Sequence, residues 1–104
     1  MANQKVRYMF DPRTLLATFS PDTEVSTIAE ALGCDRLQVY RWLSGTSRWD
    51  CWQADRHAIR IGLHPATVWG QQWWDECAAA EERIERRYQL KLHRMRTYRE
   101  RTNG

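Results

Sequence analysis

The chain has little that could staple or punctuate it: three cysteines, three prolines and five glycines in 104 residues. No stretch approaches the ~20 apolar residues that a membrane span needs. The N-terminus, MANQKVRYMFDPR, has no apolar run before a small-residue cleavage site, so no signal peptide is expected and a soluble, cytoplasmic protein is expected. Cys34, Cys51 and Cys77 are well separated and odd in number, so reduced thiols are expected rather than a disulfide framework. There is no glycine-rich phosphate loop and no nucleophile elbow. Cys51, His57, His64 and Cys77 have irregular spacings and no paired C-x-x-C or H-x-x-x-H clip, so no metal is expected. His64 reads as a helix cap before Pro65, and His57 and His93 as surface residues. No catalytic residue, cofactor or small-molecule substrate is therefore expected. The chain also lacks internal repeats and low-complexity segments.

What is present is charge asymmetry and tryptophan. Residues 1–80 carry eight basic and nine acidic groups, and residues 81–104 carry eight basic and four acidic groups. The net balance thus moves from −1 to +4, which suits a phosphate backbone or a solvated helix face. Trp42, Trp49, Trp52, Trp69, Trp73 and Trp74 are six large rings in a small chain, and most are expected in its core. One domain is expected, organised as a body over 1–80 and a basic helical extension over 81–104.

The segment VSTIAEALGCDRLQVYRWLS, residues 25–44, has the spacing of two short crossed helices. Ile28 and Leu32 are four apart on one helix face, with Ala29 beside them where a close crossing leaves room for a methyl group. Gly33 follows where the chain needs a positive φ. Asp35 is placed to cap the second helix. Val39 and Trp42 face back onto the first helix. That leaves Arg36, Leu37, Gln38, Tyr40, Arg41 and Ser44 on the outer face. This stretch resembles the helix-turn-helix family, in which the second helix enters a major groove. The resemblance covers about a fifth of the chain.

The remaining elements are expected to be helical, giving an all-α fold of four to five helices and a long C-terminal helix. Asp11-Pro12 opens a short helix to about Phe19, with Leu15, Leu16 and Phe19 apolar. Asp50 and Gln53 have capping-box spacing, and their helix runs to about Ile61 before Gly62. After His64-Pro65, the stripe Trp69, Trp73, Cys77, Ala80, Ile84, Tyr88, Leu92, Met95 and Tyr98 keeps spacings of three or four. It predicts one helix of roughly 35 residues. A small body should not cover all of that stripe. A homodimer burying its distal half is one expectation, and a monomer whose arm lies along a duplex is the other.

The segment from Trp42 to Trp74 looks like small helix-turn-helix regulators of actinobacteria and their temperate phages. The features are an aromatic in the second motif helix, a Trp-x-Ala-Asp helix (Trp52, Ala54, Asp55) and a Gly-Leu-His-Pro corner (Gly62 to Pro65) leading to Val68-Trp69. The resemblance covers about residues 25–74. It implies a transcriptional regulator of the repressor or Cro type that binds double-stranded DNA. Base contacts are expected from Arg36, Gln38, Tyr40 and Arg41. Phosphate contacts are expected from Ser44, Thr46, Arg48, Arg83, Arg86, Arg87, Lys91 and Arg94. A protein-interaction module using exposed tryptophans and the long helix is the competing class. An excisionase-type architectural DNA-binding factor is the third.

Overall fold

A computed structural model describes residues 9–102, with side chains described to residue 97. Among these residues the chain is all-α. In order come α1 (Pro12–Leu16), α2 (Val25–Leu32), α3 (Arg36–Leu43), α4 (Cys51–Arg60), α5 (Pro65–Trp69) and α6 (Gln71–Cys77). A 3-10 turn (Ala78–Ala80) then leads into α7 (Glu81–Thr102).

Local chemistry sets most of the helix starts. The side chains of Asp11, Asp35 and Asp50 each accept a backbone N–H in the first turn of the helix they precede. Asp50 and Gln53 complete a capping box, with Gln53 Oε1 accepting the Asp50 N–H at 3.1 Å. The His64 ring caps α5, its Nδ1 accepting from the Ala66 N–H at 2.9 Å. Gly33 ends α2 at φ 71°, ψ 34°, and the amide of Cys34 returns to the Ala29 carbonyl at 2.9 Å.

The core is aromatic. Phe10 is joined to Trp49 by an isolated antiparallel bridge and packs on Trp69 and Trp73, with ring centres 5.4 and 5.6 Å away. Trp49 lies edge-on to Trp42 at 5.0 Å. Leu15, Leu16, Ile28, Ala29, Leu32, Val39, Ala54, Ala58 and Ile59 fill the space between the helices. Four of the tryptophans, Trp42, Trp49, Trp69 and Trp73, are buried, and Trp52 and Trp74 are exposed.

Four expectations are corrected. First, α1 ends at Leu16 in a turn rather than continuing to Phe19. Second, the helix after Pro65 is not continuous. Gly70, at φ 63° and ψ −135°, redirects the chain between α5 and α6, a conformation that a residue with a Cβ rarely adopts. The 3-10 turn redirects it again before α7. Third, Cys51 and Cys77 form a disulfide that ties the start of α4 to the end of α6, with Cα atoms 6.1 Å apart, and Cys34 is the free thiol. The tertiary fold brings together two cysteines that lie 26 residues apart in sequence.

Fourth, much of the stripe expected to need a partner is covered by the same chain. The redirections at Gly70 and at Ala78–Ala80 fold α7 back along α4. Ile84 is wholly buried, and Tyr88 lies edge-on to the His64 ring at 5.3 Å. Leu92 is half-buried, whereas Met95, although it lies beside Gly62, is exposed. The side chain of Tyr98 is outside the described residues.

Candidate nucleic-acid interface

The outer face of α3 is built by the residues that do not pack. Val39 and Trp42 are buried, which turns Arg36, Leu37, Tyr40, Arg41, Leu43 and Ser44 outward. Leu37 and Tyr40 are more than half exposed, a large apolar surface for one short helix. The side chains of Arg36, Tyr40 and Arg41 make no hydrogen bond or ion pair with other described residues. Two free guanidiniums beside a free phenol can donate to base edges or phosphates. Gln38 stands apart from this group. It is half-buried and lines a cleft between the α2–α3 turn and α4.

The loop after α3 is internally tied. The Ser44 hydroxyl donates to the Arg41 carbonyl at 2.6 Å and lies 3.1 Å from the Thr46 hydroxyl. Arg48 Nη1 donates to the carbonyls of Gly45 and Ser47 at 2.8 and 2.7 Å. Its other terminal nitrogen is 3.9 Å from Asp11, which Arg13 already pairs at 2.7 Å. The Arg13 hydrogen bonds hold the Asp11 carboxyl below the ordinary carboxylate range. Arg48 thus shapes the loop with one edge of its guanidinium and leaves the rest exposed.

The C-terminal cations divide into two sets. Arg83 stacks over the Trp52 ring at 4.0 Å, and Arg87 pairs with the buried Asp55. Burial pushes the Asp55 carboxyl above the usual range, and Arg87 opposes that shift. These two arginines dock α7 onto α4. Arg86 is exposed, with Glu82 at 3.9 Å, and Lys91 and Arg94 have no ion-pair partner among the described residues. At about 100° per residue, the α4 stripe Trp52, Asp55 and Ile59 lies roughly a third of a turn from the stripe Gln53, Arg56, His57 and Arg60. The first stripe meets α7, and residues of the second line the cleft beside the α2–α3 turn.

Two features were missed by sequence reasoning. His57 is not a surface residue: its ring stacks on Trp49 at 4.4 Å and meets the edge of Trp42 at 5.1 Å. Burial first, then the charges of Arg56 and Arg60, push its pKa down to about 4. The i, i+4 step from Gln53 to His57 and the flanking arginines were visible, but nothing local distinguished that face from a solvated one.

The other is a group of His64, Glu81 and Glu85, whose potential ligand atoms lie within 4.8 Å of one another. The bonding of the ring opposes a metal there. Nδ1 accepts the Ala66 N–H, so the neutral ring carries its proton on Nε2, which lies 2.8 Å from Glu81 Oε1. That tautomer has no lone pair to offer an ion. The second oxygen of Glu81 accepts from the Trp73 indole at 2.7 Å, so the group reads as a clasp between α5, α6 and α7.

Comparison with known proteins finds no matching family model, no similar curated protein and no similar solved structure.

Proposed function

We propose that this chain is a sequence-specific double-stranded-DNA-binding regulator that occupies an operator through α3. The observation that carries the reading is the capped α2–turn–α3 unit, which buries Val39 and Trp42 and presents Arg36, Tyr40 and Arg41 outward with no internal partner. In this reading α3 lies in a major groove, with Arg36 and Arg41 donating to guanine edges or phosphates and Tyr40 packing beside them. Gln38, at the edge of that face, reads a base only if its side chain swings out of the cleft. Ser44, Thr46 and the free edge of Arg48 approach the backbone. Arg86, Lys91 and Arg94 add sequence-independent charge, while Arg83 and Arg87 serve mainly to hold α7 in place.

The test is a titration of random and selected duplexes with the wild type and with Arg41→Ala. A bidentate arginine–guanine pair discriminates by about 1–3 kcal/mol, so the variant should lose most of its preference for one base pair. An unchanged base preference would remove α3 from the interface.

A further inference from the structure

Between the α2–α3 turn and α4 lies an open cleft of about 400 Å³, whose polar lining is Gln38, Gln53, Arg56, His57 and Arg60. This volume is within the range of small-molecule sites. Its chemistry is one-sided: two guanidiniums line it and no carboxylate does among the described residues. We propose that this cleft is a binding site for a small organic oxyanion, a phosphate or carboxylate carried on a compact apolar body.

The polar groups are arranged for an acceptor-rich guest. Arg60 is held in place: its Nε donates to the Ala31 carbonyl at 3.3 Å, and its guanidinium covers Gly33 so closely that a Cβ there would lie 2.5 Å from Nη2. Arg56, one turn earlier on α4, is exposed and has no ion-pair partner among the described residues. Gln53 spends its Oε1 on the Asp50 cap, which leaves its amide N–H groups free to donate. Gln38 adds a second amide from α3. His57 stays neutral beside the two arginines, so the ring offers a hydrogen bond without adding charge. Leu32, Cys34 and the edges of Trp42 and Trp49 supply the apolar wall. Arg56 and Arg60 are exposed like charges four residues apart on α4, and a bound oxyanion between them would offset their repulsion.

The occupant would touch Gly33 in the α2–α3 turn and Gln38 in the first turn of α3, so it would bear directly on the placement of α3. That consequence rests on the DNA-binding reading, whereas the site itself does not. The test therefore uses the full chain without DNA. Phenyl phosphate is titrated against isotope-labelled protein by NMR, with inorganic phosphate and phenol as single-feature controls. Saturable shifts are expected at the Gly33 amide, the Gln38 and Gln53 side-chain amides and the Arg56 and Arg60 Nε–H groups. Binding should be at least tenfold weaker for either control and at least tenfold weaker in Arg56→Gln, whose exposed position should leave the thermal melt unchanged. Two results would overturn the site: no saturable shift in the cleft, or shifts spread over the α7 cations with Arg56→Gln binding as wild type.

Discussion

Asp55 is wholly buried, and one of its carboxylate oxygens has no hydrogen-bond partner among the described residues. Its other oxygen is held by Arg87. Arg87→Ala should therefore cost about 2–3 kcal/mol, the usual consequence of leaving a buried charge unpaired, reduced here because Arg87 itself is partly exposed. The loss should depend on pH. Burial already raises the Asp55 pKa above 3.8, and without Arg87 it rises further. The native state then holds a proton that the unfolded chain has released, so stability falls as pH increases through the window above 3.8. Urea melts at pH 5 and pH 8 should show the larger penalty at pH 8, and adding Asp55→Asn should recover part of it. Equal penalties at both values would mean that the ion pair contributes little. His57 behaves oppositely. Its folded pKa of about 4 lies below the ordinary 6.5, so the unfolded chain takes up a proton first as the solution is acidified. Stability is full above 6.5 and is lost progressively as pH falls toward 4. Ring proton shifts should show a neutral His57 at pH 5, and an ordinary midpoint near 6.5 would contradict its burial.

At the scale of elements, α2, α3 and α4 were legible because their signals are local. Asp35, Gly33 and the Asp50–Gln53 pair name their own caps, and Ile28, Leu32, Val39 and Trp42 name the packed faces. The C-terminal half was not legible in the same way. The three-and-four spacing of Trp69, Trp73, Cys77, Ala80 and Ile84 continues through two redirections, so periodicity alone could not see them. Ala78–Ala80 has the composition of a strong helix former, and its 3-10 geometry follows from tertiary ties on either side: the Cys51–Cys77 bridge and the Trp73–Glu81 hydrogen bond. The cations were legible as composition, but their assignments needed the fold, since only the structure separates Arg83 and Arg87 from Arg86, Lys91 and Arg94. Truncation within α7 would remove Ile84 from the core and would report on folding. The informative variant is Arg86→Gln, Lys91→Gln and Arg94→Gln together. Each lost phosphate contact lowers the salt slope by about 0.9, so the slope of duplex binding should fall by up to ~2.7 with no change in the melt. An unchanged slope would place α7 away from the duplex.

The whole molecule is one aromatic core closed by a bridge. The Cys51–Cys77 link joins the first residue of α4 to the last of α6, 26 positions apart, and constraining a loop of this size in the unfolded chain is worth about 3–4 kcal/mol. Reduction should lower the melting midpoint substantially, and the double variant Cys51→Ala, Cys77→Ala should match the reduced wild type. A midpoint insensitive to reductant would show that the helices hold the corner without the bridge. The bridge and the α7 clasp both brace the core behind α3, whose outer face is the proposed DNA-reading surface. The most direct measurement is equilibrium binding of the full chain to a pool of random duplexes, followed by selection, at two salt concentrations, with Arg41→Ala in parallel. An enriched duplex should bind at least a thousandfold more tightly than the random pool, with that preference largely lost at one position in Arg41→Ala. Equal affinity for every duplex, or no binding at low salt, would contradict the proposed role of α3.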